Sequence, residues 1–172
     1  MDELMRTVKS VLPTTPARWI SLTQNTPASL LTLAPAPGEW SALECLQHIL
    51  DTESVFQFRL KAFLDGVDFP AFNPATQGSK PDPDWSPVMY AEEFSRRRAE
   101  SLAALEKLNQ ADLARRARHQ ELGMVTLSEM IHEWVAHDLN HTVQAERALM
   151  QPFITGCGPW NVYFTDHMVK AH

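Results

Sequence analysis

The chain has 172 residues, of which 44% are hydrophobic and 21% charged, and its formal net charge is −6. Such totals suit one soluble globular domain spanning 1–172 and exclude a nucleic-acid interface, which needs concentrated basic charge. Two distant cysteines, no apolar run near the ~18 residues of a membrane span and the acidic start "MDELMRTVKS" lead to the expectation of a reduced, cytoplasmic protein without signal peptide or membrane segment.

The first helical region covers about 2–33 and is broken by Pro13, Pro16 and Pro27. In "TTPARWISL" a threonine N-cap is followed by a proline at the first helical position, and "NTPASLL" repeats that logic. After the turn "LAPAPGEWS", the second helix opens on a capping box, Ser41 with Glu44 three residues on. Its apolar stripe runs through Leu43, Leu46, Ile49, Leu50, Phe56, Leu60, Phe63 and Leu64, and Gly66 ends it. Glu53 falls within this stripe and reads as a buried, paired carboxylate. Cys45 reads as core, and Arg59 as a solvated cation that could meet an anionic group of a substrate.

The segment 65–87 reads as a loop. The third helix starts at Ser86-Pro87 and ends near Asn109. Its basic run "RRR" at 96–98 lies among Glu92, Glu93 and Glu100, as on the solvated side of a helix. The fourth begins with a second capping box, Thr126 to Glu129, and runs to about Met150. Residues 151–160 read as a loop, and the aromatic tail 151–172 is expected to cover one end of the molecule. Strand-like alternation is scarce. The expected fold is all-α, a four-helix bundle over about 15–150 with an irregular C-terminal tail.

Three of the seven histidines lie in "SEMIHEWVAHDLNHTVQAE". "HEWVAH" looks at first like the H-E-x-x-H of zinc proteases. His137, however, stands at i+5 from His132, so the two leave different faces and the protease reading fails. At ~100° per residue, Leu127, Met130, Ile131, Trp134, Ala145, Ala148 and Leu149 share an arc. His137 and His141 fall in or beside it, separated by one turn, whereas the His132-Glu133 pair belongs to the outer face. Asp138 points into the arc as a partner for the histidines. Such a pair has two readings: core residues with hydrogen-bond partners, or two ligands of one metal. A third ligand would come from a facing helix, and His48 is the best placed, ahead of His119, His167 and His172.

"PAPGEWSALECLQHILDTE" resembles the second-helix signature of the DinB / YfiT-like superfamily, in which a Trp-Ser pair opens the helix and a ligand histidine follows. Trp40, Ser41 and His48 stand in those places, and "HDLNHTVQ" is similar to the later H-x-x-x-H, matched by His137 and His141. The resemblance covers roughly 15–150. It implies a bundle of the DinB type, often a homodimer, with a divalent metal (zinc or nickel) on His48, His137 and His141 and water in the open positions. It further implies a small-molecule substrate and a thiol S-transferase using a low-molecular-weight thiol such as mycothiol or bacillithiol. The alternatives are a metal-dependent hydrolase and a non-catalytic metal-binding stress-response protein. Glu53, Asp138 and Glu133 are the candidates to orient a ligand or act as base.

Overall fold

The computed structural model describes residues 3–169. The proline-punctuated first region is broken into α1 (Glu3–Val11), α2 (Thr14–Asn25) and α3 (Ala28–Leu31). The two long helices are α4 (Ala42–Asp65) and α8 (Leu127–Gly156), and α6 (Pro87–Leu105) lies between them in sequence. With α2 they form the four-helix bundle, in which α4 lies against both α6 and α8 and α2 against α6. Short helices α5 (Pro74–Gln77) and α7 (Gln110–Leu113) sit in the connections. Among the described residues no helix is long and apolar enough to cross a membrane.

Local sequence sets the helix starts. Ser41 Oγ accepts from the Glu44 N–H, while the Glu44 carboxylate accepts from the Ser41 N–H. Thr126 and Glu129 repeat this reciprocal pairing at the start of α8. Each pairing satisfies amide donors that a helix cannot fill itself. At the other end of α4, Gly66 takes a left-handed conformation with φ of 70°, which glycine adopts without steric cost.

The threonine caps expected before Pro16 and Pro27 are absent: Pro13 and Pro27 themselves precede α2 and α3, with no side-chain cap bond. Four further expectations need correction. First, α6 stops at Leu105, and Asn109 instead caps α7, its side chain accepting from the Ala111 and Asp112 N–H groups. Second, α8 continues past Met150, through Pro152, to Gly156. Pro152 removes one backbone donor, and tail contacts along this turn hold the helix. Gln151 Nε2 donates to the Arg147 and His167 carbonyls, and Gln151 Oε1 accepts from the Val169 N–H. The tail beyond is a 3-10 segment, Gly158–His167.

Third, β1 (Arg116–His119) and β2 (Gly123–Thr126) form an antiparallel hairpin, with Arg116 opposite Thr126 and His119 opposite Gly123. Phe69 extends it, donating to the Arg118 carbonyl and accepting from the Gln120 N–H. Fourth, Arg98 of the "RRR" run is completely buried. Arg96 and Arg97 do pair with Glu93 along the outer side of α6.

Two apolar clusters form the core. One gathers α1, the C-terminal half of α4, the hairpin and the first turns of α8 around Phe63, Ile131 and Trp134. The other gathers α2, the start of α4, α6 and the later turns of α8 around Trp19, Leu46 and Phe94. Arg98 lies between them, over the rings of Phe94 and Trp134 at 4.9 and 5.6 Å.

Candidate metal centre

The Arg98 cluster fixes how α4, α6 and α8 meet. The guanidinium donates twice to Glu53 of α4 (3.0 and 2.7 Å), twice to Asp138 of α8 (2.5 and 3.1 Å) and once to the Leu12 carbonyl (3.1 Å). Glu53 also accepts from Ser101 Oγ and Trp134 Nε1. Burial pushes the Asp138 carboxyl up, and Arg98 pulls it back. Phe56 of α4 stacks on Trp134 of α8 at 4.8 Å.

With the two long helices aligned in this way, His48 of α4 meets His137 and His141 of α8. His48 Nε2 and His137 Nε2 are 3.0 Å apart, and the ligand atoms of all three lie within 4.8 Å of one another. The His141 ring centroid is 4.4 Å from each of the others. Its Nδ1 is 2.8 Å from Gln144 Oε1. A neutral ring that donates there keeps its Nε2 lone pair free, the orientation a neighbouring amide or carboxylate commonly imposes on a ligand histidine.

All three rings are poised to be neutral. Burial, then the neighbouring His141, pushes His48 down to about 4. Burial, then His141 and His48, pushes His137 down to about 3. Burial lowers His141 as well, against Gln144, which raises it. Metal ligation requires neutral imidazole. Zn–N bonds of about 2.0–2.1 Å in a tetrahedral centre set adjacent nitrogens about 3.3 Å apart, near the His48–His137 separation. The contact joins His48 to His137 through their Nε2 atoms, while the other ring nitrogen of His137, the buried Nδ1, has no partner. The donor set thus fits a divalent metal ion.

The cluster opens into a cavity of about 320 Å³ lined by Trp40, Phe56, Arg59, Phe72 and Glu133 together with the histidines. Trp40 tilts against His48 at 5.0 Å and stacks on His141 at 5.9 Å. Here the site departs from the reading of the sequence. Glu53 and Asp138 do not line the cavity; the Arg98 cluster takes up both carboxylates, and Asp138 is not the partner of the histidines. Glu133, assigned to the outer face, is half exposed, and it also lines this cavity. Glu133 stands four residues before His137, as His137 does before His141, so the three form one row along α8. Arg59 is no solvated cation: its side chain is only 12% exposed, with Nη1 3.9 Å from Glu133 Oε2.

The remaining candidates lie elsewhere. His132 is exposed, beside the Ser128 carbonyl. His119 is buried in β1 next to Arg59. His167 is exposed in the 3-10 segment, and His172 lies outside the described residues. Cys45 is core, with burial and then Glu44 pushing its thiol up to about 12.

The family model of the DinB superfamily matches residues 12–145. The chain belongs to the DinB superfamily. Among solved structures this DinB-superfamily chain is similar to YfiT from Bacillus subtilis, described as "a probable metal-dependent hydrolase with an unusual four-helix bundle topology". The identity is 17% and the TM-score 0.77, over 89% of each chain. It is also similar to a DinB-like protein, YjoA, from Bacillus subtilis, at 17% identity and a TM-score of 0.59, over 84% of this chain and 91% of that one. At these identities the likeness establishes the bundle fold. No curated protein matches the sequence.

Proposed function

We propose that this DinB-superfamily protein is a metal-dependent hydrolase of a small-molecule ester or amide, with His48, His137 and His141 holding a zinc or nickel ion. The carrying observation is the row Glu133, His137, His141 on one face of α8, all three lining the same cavity. The description of YfiT as a metal-dependent hydrolase supports the same reading. A divalent ion in such a centre supplies Lewis acidity, polarising a substrate carbonyl and acidifying water.

The protein's own residues supply the rest. Partial burial pushes the Glu133 carboxyl upward, against Arg59, which lowers it. A carboxylate shifted toward neutral pH serves well as a general base. Glu133 takes a proton from the attacking water as its oxygen bonds to the acyl carbon. The bond to the leaving alkoxide or amine then breaks, and the same proton passes to that group. Trp40, Phe56 and Phe72 limit the water around the reacting carbonyl. With this reading go a homodimeric state and a cytoplasmic location.

The test combines metal analysis with hydrolysis of a panel of activated esters and amides. His137→Ala is expected to lose the metal. Glu133→Gln is expected to keep it and lose about a hundredfold or more in kcat, the ordinary scale for a general base. Full metal content in His137→Ala, or full activity in Glu133→Gln, would overturn the assignment. Conjugation of a low-molecular-weight thiol to an electrophile, with no hydrolysis, would establish the thiol S-transferase instead.

A further inference from the structure

Arg59 borders two cavities. Beyond it, on the side away from the histidines, lies a second of about 350 Å³, lined by Phe69, Phe72, Leu122, Val125 and Met130 together with His119. The guanidinium lies over the rings of Phe56 and Phe69 at 6.0 and 5.6 Å. A cation so nearly enclosed needs partners for its five N–H groups. Arg59 Nε has none, and Glu133 comes no closer to Nη1 than 3.9 Å. Nη2 faces His119 Nε2 at 3.3 Å.

That last contact sets donor against donor. His119 Nδ1 accepts from the backbone N–H groups of Glu121 and Leu122, at 3.1 and 3.2 Å, where the hairpin turns. With Nδ1 an acceptor, the proton of the neutral ring resides on Nε2. Nε2–H and Nη2–H therefore point toward one another, and the unpartnered Nε–H lies on the same guanidinium. An oxygen anion seated to one side of this contact, within reach of both nitrogens, accepts from both and removes the conflict.

We propose that Arg59 and His119 form a carboxylate-binding site, and that the substrate carries a carboxylate on an apolar stem spanning the two cavities. The second half of this statement rests on the hydrolase reading; the first does not. The wall favours a monoanion. Its apolar lining suits a hydrocarbon stem, whereas Glu121 and Glu133 at its edge oppose the second charge of a phosphate. Glu129, also in the wall, is turned to the Thr126 backbone N–H and hydroxyl.

Calorimetric binding of hexanoate, hexanamide and inorganic phosphate tests the site, with and without EDTA. Hexanoate is expected to bind about tenfold or more tighter than hexanamide, the scale of a hydrogen bond to a charged group. The preference should survive EDTA and fall to near unity in Arg59→Met and His119→Phe. Arg59→Gln and His119→Asn serve as second variants, with circular dichroism confirming folding. Equal binding of acid and amide overturns the proposal. So does a preference that survives in Arg59→Gln or vanishes with EDTA, or tighter binding of phosphate than of hexanoate. In activity, the mono-p-nitrophenyl ester of adipic acid should exceed its methyl-capped diester in kcat/KM, and Arg59→Met should flatten that ratio. Absence of turnover with both esters, beside intact hexanoate preference, overturns the reaction and leaves the carboxylate site standing.

Discussion

Arg98 donates all five of its N–H groups without reaching water. Removing the guanidinium leaves Glu53 and Asp138 buried and uncompensated, whereas replacing the whole cluster with apolar side chains does not. Arg98→Met is therefore expected to cost about 3–5 kcal/mol in urea unfolding, and the triple change with Glu53→Leu and Asp138→Leu to recover most of it. A triple variant no more stable than Arg98→Met would rule out this account. Arg98 stands four residues after Phe94 and seven before Leu105, so helical spacing puts it on the buried face; its partners are not legible, because they come from helices distant in sequence. Glu133 is among the candidate bases in the sequence, and its spacing of four from His137 is what separates it from Glu53 and Asp138. The histidine trio was legible because two of its members are neighbours on one helix and the third follows a recognisable capped start.

At the scale of elements, what a few adjacent residues decide was readable, and what distant segments decide was not. Both capping boxes, the proline breaks and Gly66 act within a turn or two. The β1–β2 hairpin is the exception: its pairing is local, but its four-residue strands leave little alternation to detect. The tail that meets Gln151 beside Pro152 comes from farther along the chain. The capped start of α4 carries a measurable consequence. Ser41→Ala removes the side-chain acceptor two turns before His48 and is expected to cost about 1 kcal/mol in unfolding free energy. Metal stoichiometry should stay unchanged, since the helix beyond is held by packing against α6 and α8. A metal-deficient but otherwise stable Ser41→Ala protein would contradict this division of labour.

Across the whole molecule, α4 and α8 run through both core clusters, and the histidine centre lies where they face each other. The tail is a separate layer, clasped by Arg147, whose guanidinium donates to the carbonyls of Asp166, His167 and Met168. His48 and His137 are 89 positions apart in sequence, so an unfolded chain cannot present the three rings together. An ion that binds only the folded form stabilises it by mass action, by about 2.7 kcal/mol when free metal stands at a hundred times its Kd. Chelation is accordingly expected to lower Tm in the wild type and not in His137→Ala, as calorimetry with and without EDTA would reveal. An equal response in both would mean that the ion makes no link between the helices. Under the proposed metal centre, the protein's lifetime would become a gauge of free metal: wherever the ion grew scarce, the bundle would lose a crosslink between its two longest helices and unfold more often.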